Sequence, residues 1–179
     1  MDCNSPAVAM GIIGLGGIGS TVAGIARALG MEVAAWNSHV PPEHFERSGA
    51  TPVDDLNKLI ETSDVISVHL PLNNATRGIV TAENLAHVKP GTLFINTARS
   101  EVIDPVRCLP DCKRAMFPPH STCSTMSRCP MDDPLRSLDN VVLTPHVAWR
   151  DDEACVNLTR QVIDAVASYF TGGDYNAVP

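Results

Sequence analysis

A chain of 179 residues suits one domain, or one with a small appendage, and a 44% hydrophobic composition supplies an ordinary globular core, which argues against a disordered polymer. The formal charge of −7 offers no basic stripe for a phosphate backbone, which argues against nucleic-acid binding, and no apolar run reaches the roughly 18 residues of a membrane span. Asp2 stands where a signal peptide would carry its basic residues, so a cytoplasmic location is the default expectation.

In chain order, residues 7–13 form an apolar run of strand length. Gly14-Leu15-Gly16-Gly17-Ile18-Gly19 follows, and then Val22, Ala23, Ile25, Ala26 and Leu29 recur at helical spacing until Gly30. Residues 31–36 read as a second strand, and 41–47 as a short helix opened by prolines and closed by Gly49. A strand is expected at 51–53, then a helix capped by Asp54-Asp55 that carries Leu56, Leu59 and Ile60. The β-branched run 65–70 ends at Pro71, the loop at Asn73 to Thr76 follows, and Thr81 caps a helix through Val88. Lys89-Pro90-Gly91 turns into a strand at 92–96, a further strand spans 141–143, and Asp151-Asp152-Glu153 opens a helix that ends at Gly172-Gly173. Strands alternating with helices predict an α/β fold with a doubly wound parallel sheet.

Gly14, Gly16 and Gly19 form G-x-G-x-x-G, a weak signal alone but a specific one between a strand and a helix. In that setting the first glycine allows a tight turn, the second lets backbone approach a pyrophosphate, and the third permits close helix packing, with the phosphates on the helix N-terminus. The second strand ends at Asn37, where an acidic residue would bond the adenosine ribose of NAD. An amide still bonds a hydroxyl, and no Arg or Lys stands beside it in sequence, so NAD is preferred and NADP is not excluded.

Four blocks of sequence resemble the D-isomer-specific 2-hydroxyacid dehydrogenases, in their nucleotide-binding domain: the glycine fingerprint, Ser63-Asp64-Val65-Ile66-Ser67-Val68-His69-Leu70-Pro71-Leu72, Lys89-Pro90-Gly91-Thr92-Leu93-Phe94-Ile95-Asn96-Thr97-Ala98-Arg99, and Leu138-Asp139-Asn140-Val141-Val142-Leu143-Thr144-Pro145-His146. The resemblance implies a Rossmann-type fold and an enzyme that reduces 2-oxo acids or oxidises 2-hydroxy acids with a nicotinamide cofactor. It makes Arg99 the residue that captures the substrate carboxylate and His146 the general acid/base. It assigns the cofactor to Gly14, Gly16, Gly17, Ile18, Gly19, Asn37, Leu70, Pro71, Thr76, Thr97, Ala98 and Arg99. Ser100 departs from the glycine common in the family and is expected to crowd the turn that holds Arg99.

Between Val106 and Pro130 neither a helical nor an alternating pattern continues the fold, although the family has a helix, a strand close to Leu-Asp-Val-Phe, and Glu-Pro here. Cys108, Cys112, Cys123, Cys129 and His120 suggest soft ligands, yet C-x3-C and C-x5-C fit no common zinc pattern, and no metal is expected. The genetic code offers another explanation. Back-translated from the last base of the Arg107 codon, the segment can read Leu-Pro-Ala-Arg-Leu-Gln-Ala-Gly-His-Val-Ser-Ala-Ala-Leu-Asp-Val-Phe-Asp-Asp-Glu-Pro-Leu-Pro, which is the expected order. A pair of compensating frame changes accounts for this, and it removes the family glutamate across Met126 and Ser127 and the family aspartate across Ser121 and Thr122.

The expected organisation is a dinucleotide-binding domain at 1–149 and a C-terminal helix at 150–179 that would pack on a substrate domain largely absent here. The helix's apolar face would then invite association, and the resemblance implies a homodimer. The partner molecule is a small 2-oxo or 2-hydroxy acid. A non-catalytic NAD(H)-binding or corepressor-like module, or an inactive truncated relict, are the alternatives.

Overall fold

The computed structural model describes residues 7–37, 42–104, 121–122, 132, 134–147 and 150–173. The shifted segment, apart from Ser121 and Thr122, therefore lies outside the described residues, with the metal question at its cysteines.

Five parallel strands form one sheet in the order β3-β2-β1-β4-β5: β1 Ala9–Ile13, β2 Glu32–Trp36, β3 Thr51–Pro52, β4 Val65–Val68 and β5 Leu93–Asn96. The connecting helices are α1 Gly17–Ala28, α2 Pro42–Ser48, α3 Leu56–Thr62 and α4 Ala82–Ala86. Side chains of alternating strand residues enter opposite faces, and the core divides accordingly. On one face Met10, Ile12, Val33 and Ala35 pack with Ala23 and Ala26 of α1 and with Phe45 of α2. On the other, Ile13, Ile66, Val68 and Phe94 pack with Leu56, Leu59 and Ile60 of α3 and Leu85 of α4. Burial on both faces is what a parallel sheet requires, and it explains the near-continuous apolar runs of β1 and β4.

Gly11 at the centre of β1 has a packing role. A Cβ there would run into Ser63 Oγ and approach Leu59, so α3 lies directly on the strand backbone. Ser63 is buried and donates from Oγ to Leu59 O at 2.6 Å. At the opposite, N-terminal edge Asp64 joins three strands. Ala9 N donates to its Oδ2 at 2.9 Å, Lys89 Nζ to its Oδ1 at 2.6 Å, and Leu93 N to its backbone carbonyl at 2.9 Å.

The expected elements are found with shorter ends. Strand β4 stops at Val68, although His69 N still donates to Ile13 O at 2.8 Å, and α4 stops at Ala86 with His87 as its cap. A larger difference lies at Ser121–Thr122, which forms β6 and runs parallel to β7, Val141–Val142, close to β5. Strand formation by this polar pair is a tertiary effect, supplied by the neighbouring strand rather than by local pattern.

Contacts divide the chain into two compact units, Met1–Leu143 and Thr144–Pro179. The second contains α5, Asp152–Phe170, whose N-cap Asp151 accepts from Ala154 N at 3.0 Å. Its apolar side chains, including Val156, Val162, Ile163, Val166 and Phe170, are exposed. No helix among the described residues is long and apolar enough to cross a membrane.

Candidate functional site

The first candidate is the turn from β1 into α1, where four glycines divide into two that the packing requires and two that stand open. Gly14 has φ +102°, a left-handed conformation that only glycine adopts without strain, and its N–H donates to Trp36 O at 2.9 Å. A Cβ on it would also approach Leu70 Cδ2 at 2.9 Å and His69 C at 3.0 Å, so the turn is packed against the end of β4. Gly19 is buried, and a Cβ there would run into the Gly14 carbonyl oxygen. Gly16 and Gly17 are different: both are exposed, and a Cβ on either would meet nothing within 4 Å. Their open side is thus turned to whatever approaches from solvent.

Helix α1 begins at this turn with Gly16 as N-cap, no side chain capping it and no acid in its first turn. Its first N–H groups and the positive end of its dipole are left for an anion. The turn stands at the C-terminal ends of β1 and β4, the edge where open α/β sheets bind ligands. Ile18 is 71% exposed beside it.

The remaining expected cofactor residues divide into groups. Asn37, half-buried at the end of β2, faces a cavity shared with Phe45, Pro52, Val53 and Asp54. Leu70 is buried in the core, so its side chain shapes Gly14 rather than lining an open surface. Pro71 is exposed, and its carbonyl accepts from Thr76 Oγ1 at 2.5 Å. Thr76 is buried and also accepts at Oγ1 from Asn73 N at 2.9 Å, so its hydroxyl braces the loop after β4. Thr97 and Arg99 are exposed and Ala98 half-buried at the end of β5.

Two residues of the site were absent from the expected set. Asn96 is fully buried, and its amide clamps the turn after β5: Nδ2 donates to Arg99 O and Oδ1 accepts from Ala98 N, both at 3.0 Å. A side-chain amide carries both a donor and an acceptor, so it serves a carbonyl and an N–H at once. The Arg99 guanidinium donates from Nη1 to Ala98 O at 2.8 Å. His69 closes the end of β4, with Nε2 2.9 Å from Ser67 Oγ, and burial holds its pKa below the ordinary histidine value.

Ser100 does not crowd the arginine turn. It opens a 3₁₀ turn, Ser100–Val102, after an extended Arg99 with φ −141°, and donates from Oγ to Glu101 Oε2 at 2.7 Å. That hydroxyl is the main cause of a lowered Glu101 pKa, with Arg77 and Arg99 contributing more weakly. Arg99 belongs to the first unit, and His146, exposed just after β7, to the second. The positions expected to hold the family glutamate, Met126 and Ser127, lie outside the described residues.

Residues 6–148 match the family model of the D-isomer specific 2-hydroxyacid dehydrogenase, NAD binding domain. The chain belongs to this family. It is 35% identical to D-3-phosphoglycerate dehydrogenase of Methanocaldococcus jannaschii over 145 residues, which are 81% of this chain and 28% of that one. It is 33% identical over 172 residues to glycerate dehydrogenase of Methylorubrum extorquens, covering 94% of this chain and 52% of the relative. Among solved structures, an acyclic imino acid reductase (Bsp5) in complex with NADPH and D-Arg superposes with a TM-score of 0.84 at 32% identity, over 96% of this chain and 54% of that one. The chain thus spans about half or less of the length of the relatives it matches.

Proposed function

We propose that this chain is the nucleotide-binding part of an NAD-dependent oxidoreductase acting on small 2-hydroxy or 2-oxo acids. The observation that carries the reading is the β1–α1 turn, with Gly16 and Gly17 open to solvent before an uncapped helix of 12 residues. A bound nicotinamide cofactor would supply or accept the hydride. The pyrophosphate would rest on the N–H groups at Gly16 to Gly19, and the adenosine ribose would bond the Asn37 amide. Leu70, Pro71 and Thr76 would shape the adenosine side, and Thr97, Ala98 and Arg99 the nicotinamide side.

Arg99 takes the substrate carboxylate in its planar fork, and the Asn96 clamp supports that role by fixing the backbone from which the side chain departs. His146 donates a proton to the carbonyl oxygen during reduction and accepts it during oxidation. With no carboxylate at Met126 or Ser127 to stabilise the imidazolium, turnover of the chain as written is strongly reduced. The domain reading assigns 1–149 to the dinucleotide and 150–179 to a helix meant for a substrate domain. A cytoplasmic homodimer without affinity for nucleic acid completes it, consistent with the charge of −7.

The test is NADH titration of the purified chain beside Gly16→Val. A Cβ at Gly16 meets no protein atom within 4 Å, so the variant is expected to melt within about 2 °C of the parent while NADH affinity falls at least about tenfold. Unchanged affinity in a folded Gly16→Val chain would refute the reading.

A further inference from the structure

The turn after β5 is held by side chains more than by packing. Thr97 and Arg99 are exposed and Ala98 is half-buried, so little presses on this stretch from outside. Asn96, at the end of the strand, is fully buried and grips the turn at two points. Its Oδ1 accepts from Ala98 N, in the peptide before Ala98, and its Nδ2 donates to Arg99 O, in the peptide after Arg99. The Ala98–Arg99 peptide lies between these two held units, and the amide therefore fixes which way its oxygen points. That oxygen, Ala98 O, is the one on which the guanidinium rests, through Nη1 at 2.8 Å.

This arrangement decides which side of the arginine is offered. A guanidinium carries five N–H donors in a planar fork. With Nη1 on Ala98 O, the edge formed by Nε and Nη2 keeps its donors, and a carboxylate can take such an edge with two parallel bonds. No acid of the chain fills it among the described residues: the ion pairs there are His87 with Glu61 and Lys89 with Asp64. Glu101, two residues along, takes its bond at Oε2 from the Ser100 hydroxyl. Without the Asn96 amide, nothing else described here binds Ala98 N, and the middle peptide is free to rotate its oxygen away from the guanidinium.

We propose that Asn96 is a positioning residue for substrate capture: by locking the peptides on either side of Ala98 O, it holds the Arg99 guanidinium on that oxygen and presents the Nε–Nη2 edge to the substrate carboxylate. The inference rests on the carboxylate role given to Arg99 above. Being wholly buried, Asn96 acts only through Arg99.

The experiment measures, on the whole chain, NADH affinity and then the affinity for oxamate with NADH saturating. Oxamate has the carboxylate of a small 2-oxo acid, and its amide carbonyl resists hydride. Asn96→Asp keeps the acceptor for Ala98 N but sets a carboxylate against Arg99 O. At about pH 8 it is expected to bind oxamate at least about tenfold more weakly than the parent, with NADH affinity within about threefold. Burial raises the pKa of the new carboxyl, and its protonated form donates to Arg99 O again. The deficit relative to the parent is therefore expected to shrink at least about threefold as the pH falls to about 6. Asn96→Ser, too short to reach both groups, is expected to keep its deficit at both pH values. Equal losses for NADH and oxamate, no loss, or no recovery of Asn96→Asp in acid would overturn the proposal. If melting shows both variants unfolded, the parent decides. Its Asn96 side-chain amide, followed by NMR, is expected to exchange slowly with solvent and to shift when oxamate binds; fast exchange or an unmoved signal would overturn the proposal. A parent that binds NADH but not oxamate overturns it as well and leaves the nucleotide part of the proposed function standing, whereas one that binds neither overturns both.

Discussion

His69 shows how one side chain can make the site sensitive to pH. Its imidazole is half-buried against the end of β4, its backbone packs on Gly14, and burial lowers its pKa. The unfolded chain takes up the proton near pH 6.5 while the folded chain still resists it, so the unfolded state binds more protons and folding stability falls as the pH drops below that value. The loss ends once the pH is below the folded pKa. Replacing His69 with Gln is expected to flatten the dependence of melting temperature on pH over the interval just below about 6.5. A parent chain whose melting temperature is level across that interval would refute the assignment. Asp64 acts in a lower window. The Lys89 ammonium, then the Ala9 N–H, lower its pKa, so its contribution is present above pH about 4 and is lost as pH falls through the folded value.

At the scale of elements, the alternation of strands with helices, the parallel sheet it implies and the glycine turn could be read from periodicity and motif spacing, because those signals are local. Asn96 could not, since nothing in Phe94-Ile95-Asn96 says that the amide turns back to hold Arg99. Gly11 read as an ordinary strand residue until α3 was seen to rest on it. Strand β6 is the sharpest case. Ser121 and Thr122 carry no alternating pattern, yet they pair with Val141 and Val142 where the shifted reading places Leu-Asp-Val-Phe. A chain rebuilt with the shifted residues is expected to melt at least about 4 °C higher, since apolar residues would fill that strand, and to turn over 2-oxo acids faster. Equal melting and equal turnover, or coding DNA with no single-base offset from close relatives, would remove the frame explanation.

For the whole molecule, association is the property most open to measurement. The apolar residues of α5 are exposed along its length, and the family resemblance implies a dimer. Sedimentation equilibrium is expected to return twice the chain mass at micromolar concentration, and a single-chain mass throughout would count against the homodimer. The strand order has a consequence for biosynthesis. Strand β1 is the middle of the sheet, with β2 on one side and β4 on the other, and the bond from Ala9 to Asp64 spans 55 residues. At roughly 5–20 residues per second, a nascent chain waits about 3–11 s after making β1 before β4 is even synthesised. Through that interval β1, buried on both faces in the finished sheet, has one edge open, and it is then, on the ribosome, that this chain is most exposed to wrong pairing.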